Sequence, residues 1–194
     1  MYSCVQAEGV TNLRQWTKDT KPIWIWLETT HISRSGSGRK PTPAEVKAEL
    51  WLALIAGAQG YGYFCHQFAG KEVDDELLED AVMSAAVKKI NSEVSALTPA
   101  LQSPDLTDFA TVASSNASVP VVFAAKSTPD GAQYLFTAAA RNGSTTATFT
   151  FSGTTQPTIA EPIGEDDGGG NITISGGKFQ QSFSTFGVHL FRLH

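Results

Sequence analysis

The run Pro22-Ile-Trp-Ile-Trp-Leu-Glu28 constrains this chain more than any other segment. It is too short for an ordinary helix, and its β-branched and aromatic residues select a strand. A nearly continuous apolar run suits a strand buried on both faces, as in a parallel sheet. Parallel neighbours require a long crossover, usually a helix. The sequence supplies one. Thr42 is placed to cap a helix, Pro43 suits its first position, and Glu45 completes a capping box. Val46, Leu50 and Leu54 form one apolar stripe, Trp51 and Ile55 another, and Gly57 and Gly60 end the helix. Tyr61-Gly-Tyr-Phe-Cys65 then reads as a second short buried strand.

Helices flank this unit. Residues 5–18 carry Val10, Leu13 and Trp16 on one side. Residues 74–101 read as one long helix with an acidic first turn and an apolar face of Leu78, Val82, Ala85, Ile90, Val94 and Leu97. The order α-β-α-β-α implies parallel βαβ units. Near Pro104 the character changes to Thr, Ser, Gly and alternating aromatics, the shift expected at a domain boundary. Short strands are expected near 109–113, 119–127, 134–140, 145–152, 158–163, 171–175, 179–183 and 188–193, parted by turns such as Pro129-Asp-Gly131 and Asn142-Gly143. That spacing predicts an antiparallel sandwich, with Phe179, Phe183, Phe186 and Phe191 in its core. Two domains are therefore expected, an α/β part over 1–103 and a β-sandwich over 104–194.

A composition of 41% hydrophobic and 17% charged residues fits an ordinary globular chain. The net charge of −5 argues against nucleic acid, and the one loose group of cations, Arg34, Arg39 and Lys40, lies in a Ser/Gly loop that reads as solvated. No apolar run is long enough to span a membrane. Met1-Tyr-Ser-Cys-Val-Gln-Ala-Glu8 lacks a basic start and an apolar stretch, so no secretory signal is expected in this chain, and its location is left open. Cys4 and Cys65 read as free thiols. Asp166-Asp167 before three glycines reads as a tight turn rather than a calcium site. There is no phosphate loop, dinucleotide fingerprint or metal-ligand spacing, so neither metal nor cofactor is expected.

Period two puts Trp24, Trp26 and Glu28 on one face of the first strand and Ile23, Ile25 and Leu27 on the other. A carboxylate at the C-terminal end of a parallel strand lies where barrel enzymes build active sites, although such a residue can also simply meet solvent. His31, three residues on, can bond a sugar hydroxyl or remain a solvated loop residue. His66, past the second strand, is placed to line the same cavity.

Pro22-Ile-Trp-Ile-Trp-Leu-Glu-Thr29, Pro41-Thr-Pro-Ala-Glu-Val-Lys-Ala-Glu-Leu-Trp51 and Ala56-Gly-Ala-Gln-Gly-Tyr-Gly-Tyr-Phe64 resemble the last two βα units of retaining barrel glycosidases of the clan A type, β-galactosidase- or cellulase-like. The ending Gly177-Lys-Phe-Gln-Gln-Ser-Phe183 and Val188-His-Leu-Phe-Arg192 is similar to the small β-domain that follows such barrels. The resemblance covers nearly the whole chain. It implies the C-terminal βα units of a (β/α)8 (TIM) barrel followed by an antiparallel β-sandwich, a carbohydrate substrate, and retaining double displacement. It further implies Glu28 as nucleophile, with Trp24, Trp26, His31, Phe64 and His66 about the sugar; Phe64 or Phe68 would supply the aromatic floor. The family's acid/base Glu lies on the fourth strand in an Asn-Glu pair, and this chain has no such pair. Hydrolysis by the chain alone is therefore not expected. Strands cut from a barrel leave open edges, so self-association through them is expected. The rival reading is a non-catalytic carbohydrate-binding or structural module in which Glu28 is incidental.

Overall fold

The structure, a computed structural model, describes residues 3–35, 38–164 and 169–194, with side chains from residue 7 onward. The expected turn at Asp166-Asp167 and the Cys4 thiol lie outside the described residues. The elements begin α1 (Ser3–Thr17), β1 (Trp24–Glu28), α2 (Pro43–Ile55), β2 (Gly60–Phe64), α3 (Glu76–Glu79) and α4 (Ala81–Leu101). The chain forms two compact units, Cys4–Ser95 and Ala96–His194, and the division falls within α4.

In the first unit β1 and β2 pair in parallel, from Trp24 opposite Gly60 to Glu28 opposite Phe64, with α2 as the crossover. The start of α2 follows its sequence signal. Thr42 N donates to Glu45 Oε2 at 2.8 Å, and Glu45 N donates to Thr42 Oγ1 at 3.3 Å. Arg39, read as a solvated charge, instead forks onto the same carboxylate, donating to Oε2 at 2.7 Å and Oε1 at 2.5 Å. These donors, Arg39 above all, pull the Glu45 carboxyl down to about 2. A depressed folded value means that the stabilisation is present above the ordinary carboxylate value and is lost as pH falls from there through about 2. Glu45→Gln is expected to cost about 0.5–2 kcal/mol at neutral pH and almost nothing near pH ~2. Urea denaturation at both pH values checks this, and an unchanged cost would refute it. At the other end of α2, Gly57 takes φ +97°, and Arg14 crosses it to donate to the Ala56 carbonyl at 2.9 Å. A Cβ on Gly57 would stand 2.3 Å from Arg14 Nη1.

Two expectations are corrected in this unit. The strand β1 buries one face, not both: Ile25 and Leu27 are buried, whereas Trp24 and Trp26 are 65% and 68% exposed. Among the described residues this sheet has two strands. The second correction concerns 74–101, which is two helices. At Asp80 the backbone turns extended (φ −80°, ψ 94°), and its Oδ1 accepts from Val82 N at 3.1 Å and Met83 N at 3.0 Å. A short polar side chain that can bond nearby backbone amides favours such a restart, and Lys40 pairs with the same carboxylate. The break shifts the helical phase. Met83, Val87, Ile90, Val94 and Leu97 are buried at alternating spacings of four and three, while Leu78 and Val82 stand exposed and Ala85 lies with them in solvent. Glu93 joins α4 to α2, accepting from Trp51 Nε1 at 2.9 Å and pairing with Lys47 at 3.1 Å.

The second unit contains β3 (Ala110–Ser114), β4 (Val121–Ser127), β5 (Gln133–Ala139), β6 (Thr145–Phe151), β7 (Ile159–Pro162), β8 (Ile172–Thr173), β9 (Lys178–Phe183) and β10 (Val188–Leu193). All the expected strands form, within one or two residues of their expected ends. They make two antiparallel sheets, β4-β5-β10-β7-β8 and β3-β6-β9. Side chains of both sheets share one core, in which Phe149 stacks on Phe179 at 4.9 Å and Phe179 meets Phe191 edge-on at 5.4 Å. The alternation in β6 holds: Phe149 and Phe151 are buried, and the threonines between them are half-exposed. Phe186 departs from its expected core place. It sits half-buried in the turn before β10 with φ +58°, a left-handed conformation uncommon for a residue with a Cβ.

Candidate functional site

The site is built where β1 and β2 end. Glu28 is the last residue of β1 and is in register with Phe64, the last of β2. Beyond them the side chains take over from the backbone ladder. The hydroxyls of Thr29 and Thr30, both buried, donate to the carbonyls of Phe64 at 2.8 Å and His66 at 2.7 Å. The two chain ends thus stay together as they leave the sheet. The carbonyl of His31 then accepts from Phe68 N and Ala69 N, each at 3.2 Å, and Gln67 and Val73 exchange backbone bonds that close the next loop.

Phe68 is the hub of these loops. Its ring lies 4.1 Å from the ring of His66 and 5.9 Å from that of Phe64, and the Arg34 guanidinium stands 4.6 Å from its centroid. Arg34 also pairs with Glu72 at 3.5 Å, so it is tethered rather than a loose solubilising charge. His66 Nδ1 lies 2.9 Å from Asp74 Oδ1. On the tryptophan face, Gly60 and Gly62 of β2 leave room for the indoles. A Cβ on Gly60 would meet the Trp24 ring at 2.4 Å, and one on Gly62 the Trp26 ring at 2.7 Å. On the opposite face Tyr61 and Tyr63 both donate to Asn91 Oδ1, at 3.0 and 2.9 Å, and burial pushes both phenols up. Tyr63 therefore packs, away from the Glu28 face.

Glu28 is half-buried, and that burial raises its carboxyl above the ordinary value. The structure thus brings Glu28 together with Trp24 and Trp26 on one side of β1, and with Phe64 through the register. His31 contributes its backbone to the loop architecture, and His66 lies just past Phe64. Sequence reading missed Thr29, Thr30, Asp74 and the seating of the indoles. The last had a signal: Gly60-Tyr-Gly62 answers Trp24-Ile-Trp26 at the same spacing. Among the described residues no group of His, Cys, Asp or Glu is arranged to hold a metal ion, and no helix is long and apolar enough to cross a membrane.

A scan against protein-family models finds no match, and a search of curated proteins finds none either. Among solved structures, the chain is similar to a candidate α-galactosidase of Bacteroides fragilis NCTC 9343, with 9% identity and a TM-score of 0.49, over 85% of this chain and 32% of that one. A second candidate α-galactosidase/melibiase of that organism matches with 9% identity and a TM-score of 0.43, over 81% of this chain and 30% of that one. A rhamnosidase of Novosphingobium sp. PP1Y matches with 14% identity and a TM-score of 0.34, over 77% and 16%. The chain spans about a third of the length of the first two and about a sixth of the third.

Proposed function

We propose that this chain is the C-terminal portion of a (β/α)8-barrel glycoside hydrolase, with Glu28 as the nucleophile of a retaining double displacement. One observation carries the reading: Glu28 closes a parallel strand at its C-terminal end, on the side of Trp24 and Trp26, in register with Phe64. That is where barrel enzymes place catalytic carboxylates, and indole faces beside a carboxylate suit the apolar faces of sugar rings. Glu28 would attack the anomeric carbon, the aglycone would leave, and water would later release the sugar. The acid that protonates the aglycone comes from residues outside this chain. Raised proton affinity, caused by burial, makes the ionised Glu28 the stronger nucleophile.

The test removes the need for that acid. A 2,4-dinitrophenyl 2-deoxy-2-fluoroglycoside has a leaving group that departs without a proton, so the nucleophile can be trapped alone. Intact-mass and peptide analysis should find one glycosyl adduct on Glu28 and none on Glu28→Gln. Trapping should slow as pH falls through a value above the ordinary carboxylate range, because protonation removes the nucleophile. An adduct elsewhere, or one equal in the variant, overturns the assignment. With ordinary nitrophenyl glycosides the chain is expected to turn over no faster than Glu28→Gln, since general-acid help is worth about 10²–10⁴-fold. One observation favours the rival, a non-catalytic glycan-binding module: both indoles stand mostly in water on one strand face. That reading is preferred if glycosides quench tryptophan emission equally in the chain and in Glu28→Gln while no adduct forms.

A further inference from the structure

Asn142-Gly143, between β5 and β6, is the most chemically labile step in this backbone. Of the five asparagines in the chain, Asn142 is the one followed by glycine, and it is exposed. A following residue without a side chain leaves its backbone nitrogen open to approach the asparagine amide. In water that nitrogen loses its proton, attacks Cγ of Asn142 and displaces ammonia, which closes a cyclic imide. Water then opens the ring at either carbonyl to leave aspartate or isoaspartate, and no oxidant or reductant takes part. Asparagine counts among the thermolabile residues for this kind of reason. The fold does not permit escape by replacing the glycine. Gly143 has φ +126°, and a Cβ there would stand 2.7 Å from Cγ2 of the buried Val119.

The two groups that would react meet at one hydroxyl. Thr185 Oγ1 accepts from Gly143 N at 3.2 Å and donates to Asn142 Oδ1 at 3.0 Å. A hydroxyl has one proton to give and lone pairs to receive, so both bonds form at once. Thr185 is itself held in the turn between β9 and β10, which Gly187 N closes by donating to the Ser184 carbonyl at 2.9 Å. We propose that Asn142 is a site of spontaneous imide formation and deamidation, and that Thr185 is the positioning residue that restrains it. The attack needs the Gly143 proton released and the amide carbon, not its oxygen, turned to the nitrogen. With Thr185 in place the proton is engaged and Oδ1 is held to the hydroxyl, so both bonds must break first. Deamidation adds a negative charge to the turn between β5 and β6. Isoaspartate also lengthens the main chain there, so the turn no longer fits its latch. None of this depends on the carbohydrate reading.

The test incubates the 194-residue chain in water enriched in heavy oxygen, at neutral and mildly alkaline pH. Peptide maps then follow the conversion of each asparagine with time and separate aspartate from isoaspartate. Asn142 should convert before Asn116 and Asn171, which are exposed in the same unit but are followed by alanine and isoleucine. Thr185→Val keeps the shape and removes the hydroxyl. It should convert Asn142 about two- to tenfold faster, the worth of the bonding lost. Thr185→Ser, which keeps the hydroxyl, should match the unaltered chain, and Asn116 and Asn171 should convert equally slowly in all three. An equal rate at Asn142 in Thr185→Val overturns the inference. So does a slower one, which would show the hydroxyl passing the proton on rather than withholding it. A rise shared by Asn116 and Asn171 overturns it too, since loosening of the whole unit then explains the rate. Should Thr185→Val not fold, hydrogen exchange at the Gly143 amide of the unaltered chain decides. Protection there supports the latch, and exchange as fast as in an unstructured peptide overturns it.

Discussion

Phe149→Ala is expected to destabilise the β-unit by about 3–5 kcal/mol, the usual cost of truncating a buried phenylalanine. Phe149 is fully buried at the centre of β6, stacked on Phe179 at 4.9 Å and touched edge-on by Phe123 at 6.2 Å. Its loss removes apolar burial and leaves a cavity between two sheets whose backbones are fixed by their ladders, so collapse around the gap is limited. For a unit of this size the melting temperature should fall by tens of degrees, at about 4–8 °C per kcal/mol. Thr150→Ala, one residue on and facing outward, is the control and should cost less than about 1 kcal/mol. All four tryptophans lie at or before residue 51, so tryptophan emission follows the first unit. Backbone hydrogen exchange in β6 and β9 follows the second. Equal costs for the two substitutions would show that the alternation along β6 does not decide which side chains are core.

How much was legible follows from how local each signal is. The capping box at Thr42 and Glu45 is settled within one turn of helix, and it appears as read. The sandwich strands were legible because alternation and turn residues are short-range too. The parallel pairing of β1 with β2 was legible from the single crossover helix. What failed depended either on partners distant in sequence or on local backbone geometry that the apolar pattern does not encode. The solvent face of β1 was not readable, because Trp24 and Trp26 look alike in sequence whether covered or open, and only their exposure in the folded unit decides it. The break at Asp80 was missed because an aspartate in a helical pattern looks merely unfavourable; its two bonds to backbone amides, with Lys40 on the same carboxylate, make it a cap. Phe186 was assigned to the core by composition, yet the turn geometry claims it. At the site, Glu28 and the indoles were legible from period two. The tethering of Arg34 to Phe68 and Glu72 was not, since those residues lie more than thirty positions away.

The exposed indoles carry a second large effect. The chain is expected to self-associate, and Trp24→Ser with Trp26→Ser is expected to weaken that association by about 10²–10⁴-fold. Among the described residues each of β1 and β2 has one strand neighbour, so each keeps an outer edge open to a further strand. Neither strand carries Lys, Arg or Pro to discourage pairing with another chain, and Glu28 is the only charge, at the very end. Beside those edges Trp24 and Trp26 leave most of their surface in water. Exposed apolar patches of this kind mark interaction or aggregation surfaces. Burying a large apolar side chain contributes about 1.5–3 kcal/mol, so two together are worth about 3–6 kcal/mol, and each ~1.4 kcal/mol is tenfold in a binding constant. Both indoles project from the tryptophan side, and replacing them leaves Ile25, Leu27 and the capped α2 untouched, so the fold of the unit should survive. Size-exclusion chromatography with light scattering over a tenfold range of concentration checks the expectation. The unaltered chain should show a mass that rises with concentration, and the double variant should stay near 20.7 kDa. A monomer of that mass in the unaltered chain at every concentration would show that the open edges and indoles do not drive association, and would favour the glycan-binding module over the barrel portion.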